Sequence, residues 1–257
     1  MFGRLFAIAA VLALTGCAAQ PVAPEKLSTI KTMGVIVALG DEITLTNSGI
    51  LVFTNGESHG SLAPWGIDDT AMQKVTAFLS RRFDVRPLVY DRAAFAPDKL
   101  YWPETEPMIS GLVDPSRKRV ETVIGDSVQP QGFDAYVLVS LAWSHVGATN
   151  QVVTGLGLLE AHSLFYTQNV IHALYSITVF DGHTHKIIGR SLARPVHPGV
   201  LASSDVLQGP FQGVDSSWEA DSFDKLSEPQ RQQLRSAIGS LIDEMLVPTL
   251  QGLKLID

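Results

Sequence analysis

The sequence predicts an α/β or α+β fold, a single domain with a mixed β-sheet flanked by helices. Three observations carry this. Met33 to Leu39 (MGVIVAL) is an unbroken apolar run, the pattern of a strand buried on both faces. Behind it, Met72, Val75, Phe78 and Leu79 recur at three- and four-residue spacing, and Val85 to Tyr90 reads as a strand again. Strand, helix and strand in that order make a βαβ unit. The second half carries further strand patterns and ends on one long amphipathic stretch.

Taken in order, Gly40-Asp41 marks a turn, and Ile43, Leu45 and Ile50 to Phe53 make short strand-like pieces around Asn47-Ser48-Gly49. Asp68-Asp69 reads as the N-cap of a helix over 70–83. Residues 91 to 131 hold prolines at 97, 103, 107, 115 and 130, with a short helix possible over Arg117 to Ile124. Phe95, Tyr101, Trp102, Met108 and Ile109 make that stretch too apolar for a linker, so it is expected to pack on the surface of the same domain.

Asp134 to Trp143 and Gly155 to Tyr166 read as strands. Along Val170 to Phe180, the residues Ile171, Ala173, Tyr175, Ile177 and Val179 alternate at period two and predict one strand with one apolar face. Asp181-Gly182 is a hairpin turn, with Lys186 to Leu192 as the return strand. Residues 193 to 226 read as loop. Ser227-Glu228-Pro229-Gln230 is a capping box. Leu234, Ile238, Leu241, Ile242 and Met245 then form a stripe that predicts a helix over 228–247, closed by Pro248.

The first residues describe an address. Arg4 supplies a positive start, Leu5 to Leu14 a short apolar core, and small residues follow, which is the build of a secretory signal. The run is too short to cross a bilayer as a permanent helix. Leu14-Thr15-Gly16-Cys17 resembles the lipobox of bacterial lipoproteins, which implies a signal peptide over 1–16 and acylation of the Cys17 thiol as the new first residue. Cys17 is the only cysteine, so a disulfide within the chain is excluded. Ala18 stands where lipoproteins retained in the inner membrane carry Asp, and the resemblance therefore implies an outer-membrane anchor with the domain facing the periplasm. Residues 17–27 then read as the acylated cysteine and a Pro/Ala-rich flexible tether, and 28–257 as the periplasmic domain.

Loss of residues 1 to 16 removes one charge, Arg4, leaving 18 basic against 26 acidic residues and a formal charge of −8. That balance argues against nucleic acid, which needs a basic footprint. An apolar content of 46% supplies a real core.

Candidate chemistry is sparse. Gly56-Glu57-Ser58-His59-Gly60 fits the G-x-S-x-G elbow of serine hydrolases, with Asp181 and His197 following as formal partners. The helix does not start at once, no HGGG-like segment precedes it, and a polar loop between strand and helix accounts for the match. His183 and His185 lie two apart near Asp181 and could share a metal, but no second pair with ligand spacing exists and a plain hairpin with solvent-facing histidines accounts for them. Gly40-Asp41-Glu42 and Asp68-Asp69 are paired carboxylates that a turn and an N-cap account for. His145, His162 and His172 are expected as cross-strand or surface partners, and Gly155-x-Gly157 is too short for a phosphate loop. Trp65, Trp102, Trp143 and Trp218 are spread as core fillers.

The hairpin Ile177-Thr178-Val179-Phe180-Asp181-Gly182-His183-Thr184-His185-Lys186-Ile187-Ile188 resembles those of the curli-secretion lipoprotein and of the amino-terminal domain of the Tol-system translocation protein. With the Met33–Leu39 strand and the early helix, the chain is similar in style to uncharacterised proteobacterial envelope lipoproteins. A membrane-held domain with a good core and no reactive constellation reads as a non-catalytic module that binds or positions another envelope component, a protein partner, with the membrane as a further partner through Cys17 and with no catalytic residue, metal or cofactor. A serine hydrolase using Ser58 and a metal binder using His183 and His185 are the alternatives.

Overall fold

In a computed structural model, the residues described are 19–48, 56–100, 115–128, 131–147, 149, 151–162, 167–194, 206–215, 218 and 222–257. The signal and lipobox, Ile50–Phe53, Tyr101–Ile109 and His197 lie outside them.

The strands are β1 (Thr32–Ala38), β2 (Glu42–Ser48), β3 (Gly56–Ser61), β4 (Asp84–Arg86), β5 (Ala135–Leu141), β6 (Trp143–His145), β7 (Val152–Thr154), β8 (Leu156–His162), β9 (Thr167–Ala173), β10 (Tyr175–Asp181), β11 (Ile187–Leu192) and β12 (Phe211–Val214). The α-helices are α1 (Pro24–Leu27), α2 (Ile67–Leu79), α3 (Pro97–Leu100), α4 (Pro115–Ser127) and α5 (Glu228–Gly252). One five-stranded sheet has the order β11-β10-β5-β1-β4, and a second has the order β12-β9-β8-β2-β3. A mixed α/β domain is what the sequence patterning predicts.

The first sheet is covered on both faces, which is why β1, β5 and β10 are buried almost throughout. Met33, Val35 and Val37 face α2 and α5, while Ile36 and Ala38 face the α4 side with Phe95 and Ile124. β1 pairs in parallel with β4 on one side and β5 on the other. The βαβ reading therefore holds: β1, α2 and β4 are its three parts.

The two sheets are joined end to end through their central strands. β1 runs on through the turn at Gly40 (φ +81°) into β2, and β5 reaches β8 after the small β6–β7 hairpin. β9 passes into β10 through Leu174 alone. At this seam, the Gly155 N–H donates to the Ala142 carbonyl (2.8 Å), Leu174 N–H to Gly155 (2.8 Å), and Ala142 N–H to Leu174 (2.9 Å), so the ladder continues across the bend. The predicted single strand over 170–180 is thus two strands in two sheets. Its alternation survives the break, because Ile171, Ala173, Tyr175, Ile177 and Val179 all enter the main core.

Other expectations are corrected. Gly56 to Ser61, read as a polar loop, is strand β3 paired antiparallel with β2. Part of the predicted loop over 193–226 forms β12 against β9. Helix α2 starts at Ile67 behind Gly66 (φ +61°), so Asp68 and Asp69 lie in its first turn and not at the N-cap. α5 runs through Pro248 to Gly252: the proline forfeits one backbone hydrogen bond, but Thr249 and Leu250 in the same turn are buried and hold the helix in register. Trp143 is 41% exposed and fills no core, whereas Trp218 is buried.

The amino-terminal stretch is also packed. Gln20 bridges Arg190 on β11 (2.8 and 2.9 Å), the Val22 N–H donates to the Leu253 carbonyl (3.2 Å), and the Val22 side chain is buried. The Lys26 ammonium donates to Asp181 at 2.7 Å. Residues 20 to 27, read from composition as a flexible tether, lie along the edge of the first sheet.

Candidate functional site

Parallel pairing puts the carboxyl ends of β1 and β5 side by side, and three chain segments close around them. Ala38, Leu39 and Gly40 end β1 and turn towards Asp41 and Glu42; Leu141 ends β5; and a 3₁₀ turn, Arg92–Phe95, follows β4. That turn is set by the Asp91 carboxylate, which accepts the Ala93 N–H at 3.0 Å. Together they enclose a crevice of about 610 Å³, with Ala38, Phe95, Ala96 and Leu141 as apolar walls and Asp41, Glu42 and Arg92 as the polar rim. The connection from β1 to β4 carries α2, and the connection from β4 across β1 to β5 carries α4 on the opposite face. The crevice therefore sits at a topological switch point, where open α/β sheets bind ligands.

An ion network holds the rim. The Arg92 guanidinium lies 2.8 Å from Asp41 and 2.6 Å from the Asp68 carboxylate beneath it. Asp68 also accepts the Leu39 N–H at 2.9 Å. Burial pushes the Asp68 carboxyl up to about 6, against the opposing pull of Arg92 and the Leu39 N–H. The Tyr90 hydroxyl contacts the Val37 N–H and carbonyl, both at 3.3 Å, and burial raises that phenol too. Among the described residues lining the crevice there is no hydroxyl, thiol, imidazole or amine. Its chemistry is apolar contact plus one guanidinium and two rim carboxylates.

The hydrolase residues are not assembled. Ser58 sits in mid-strand opposite Leu45, not on a strand-to-helix elbow, and its Oγ has no hydrogen-bond partner. His59 lies on the exposed side of β3 between Glu42 (2.6 Å) and Glu57 (3.4 Å). Asp181 is at the far end of β10 in the other sheet, where it accepts from the His183 N–H (3.1 Å), the Thr184 N–H (2.9 Å) and the Thr184 hydroxyl (2.9 Å). Burial works against its charge, but Lys26 and these donors outweigh it and hold the carboxyl well below the usual range. That carboxylate is thus occupied by the turn and by Lys26. His183 is exposed, and the His185 ring packs on Tyr136 at 5.9 Å, so the two do not converge on it. Among the described residues no group of three His, Cys, Asp or Glu side chains is arranged to hold a metal.

His172, expected as a cross-strand or surface partner, is wholly buried. Its Nδ1 lies 3.0 Å from the Gly155 carbonyl, and burial lowers the imidazole to about 4, so it is neutral at pH 7. Gly155-x-Gly157 has a packing role here: Gly155 takes φ +64° at the seam, and a side chain at Gly157 would strike the Thr44 carbonyl and the His172 ring. Sequence reasoning missed Arg92 and Phe95. The available signal was the βαβ unit itself, since the segment after its second strand belongs at the carboxyl end of the sheet.

No family model matches the chain, and no curated protein matches it. Among solved structures, the chain is similar to the hypothetical protein CT253 from Chlamydia trachomatis, with 7% identity, a TM-score of 0.35, and coverage of 87% of this chain and 95% of that one. It is also similar to the lipoprotein GNA1162 from Neisseria meningitidis, with 12% identity, a TM-score of 0.28, and coverage of 83% and 99%. Both likenesses are loose. No helix among the described residues is long and apolar enough to cross a membrane.

Proposed function

We propose that this chain is a lipoprotein of the bacterial cell envelope, fastened to the outer membrane through Cys17, whose periplasmic body is a binding module. The site is the crevice at the ends of β1 and β5, and its ligand is compact and largely apolar, with one polar group to meet the Arg92–Asp41 rim. The observation that carries this reading is the coincidence of a cavity of about 610 Å³ with the switch point of the parallel strands. Small-molecule sites fall at roughly 300–1,000 Å³, mostly apolar with a few placed polar groups.

Two measurements test it. Growth with labelled palmitate marks the wild-type chain and leaves Cys17→Ala unmarked; an unmarked wild type ends the anchor reading. Native mass spectrometry of protein released from envelopes shows a small-molecule adduct on the wild type that is lost in Ala93→Trp, which fills the crevice. An adduct retained at full level by Ala93→Trp places the ligand elsewhere and ends the crevice reading.

A further inference from the structure

An anchor at Cys17 constrains how the folded body meets the lipid. Gln20 is bridged to Arg190, and Val22 is buried and bonded to Leu253, so the folded body begins three residues after Cys17. Three residues span at most about 10 Å. That length keeps the β11 edge within about 10 Å of whatever holds Cys17 at the membrane surface. The same edge carries the end of α5, because a side chain at Gly252 would touch Ala19 and Ser191. The exposed residues around it include Gln20, Pro21, Gln251 and Lys254, with Asp257 beside them accepting from the Gln251 amide at 2.8 Å.

We infer that the β11 edge, with the 20–22 segment and the last turn of α5, is the face that the short anchor holds against the lipid headgroups, so that the domain lies on the membrane by this edge. The proposal rests on the anchor at Cys17 and is independent of the crevice ligand. In the order β11-β10-β5-β1-β4, the crevice at the end of β1 lies three strand spacings from the docked edge, about 14 Å. β3, at the opposite edge of the second sheet, and Val89, 77% exposed beyond β4, are held away from lipid.

The chain has one cysteine, which acylation consumes, so a single added thiol can be labelled alone. A fluorophore is placed by Pro21→Cys or Gln251→Cys near the edge, and by Glu57→Cys or Val89→Cys far from it. The acylated protein is reconstituted in phosphatidylethanolamine–phosphatidylglycerol vesicles containing a lipid with a nitroxide on its headgroup. Quenching several-fold stronger at positions 21 and 251 than at 57 and 89 is the expected result. A flexible ten-residue insertion between Ala18 and Ala19 should then erase the difference. Equal or reversed quenching in the parent chain overturns this orientation, and a difference that survives the insertion overturns the short anchor as its cause. Palmitate labelling separates these outcomes from failure of the anchor itself.

Discussion

The buried carboxylate of Asp68 lies 2.6 Å from the guanidinium of Arg92, tying the first turn of α2 to the loop after β4 beneath the crevice. The pair is asymmetric, since Asp68 is 7% exposed while the Arg92 side chain is 43% exposed and free to screen in water. The arginine therefore offsets only part of the cost of burying the carboxylate.

That cost has a pH signature. Asp68 titrates at about 6 when folded and at 3.8 as a free side chain. Between these values the folded state keeps a proton that the unfolded state has lost, so this group makes stability fall as pH rises from about 4 to 6. The total is on the order of 3 kcal/mol. Asp68→Asn keeps an oxygen for the Leu39 N–H and abolishes this slope, as read from urea midpoints across that range.

His172 works in the opposite direction through the same window. Its free value is 6.5 and burial lowers it to about 4, so stability from this group is complete above pH 6.5 and is lost as pH falls towards 4. The two slopes largely cancel in the wild type. His172→Gln uncovers the Asp68 slope, a stability that declines from pH 4 to 6, and Asp68→Asn uncovers the reverse. Identical pH profiles in the two variants would contradict both assignments.

Gly157→Ala destabilises by roughly 1–3 kcal/mol, because β2 and His172 leave no room for a methyl group there. Gly213→Ala, which meets open space on β12, is the control and changes the urea midpoint far less.

Val22→Ala costs roughly 1–2 kcal/mol in a chain beginning at Ala18, since the valine is buried against the edge of the fold. A loosely tethered residue would cost nothing, so the urea midpoint of this variant reports directly on whether the body begins at Gln20.

Ser58→Ala leaves stability within about 0.5 kcal/mol of the wild type or slightly above it, because the hydroxyl it removes has no partner in β3. An active-site serine probe should label neither protein. Labelling of the wild type that disappears in Ser58→Ala would revive the hydrolase.

The sequence by itself determined the class of the fold and its main parts. Met33–Leu39 as a doubly buried strand, the βαβ unit around α2, the hairpin at Asp181-Gly182 and the capping box before α5 are all local patterns, and each is present. The expectation of a lipid anchor likewise rests on sequence alone. Only the tertiary structure decided that residues 170 to 180 divide between two sheets, that Ser58 lies in a strand, that Val22 is buried, and that Asp41, Asp68 and Arg92 meet. Periodicity records that one face of a segment is dry, but not which sheet dries it. An ion network across 51 residues exists only once parallel pairing has set the ends of β1, β4 and β5 side by side.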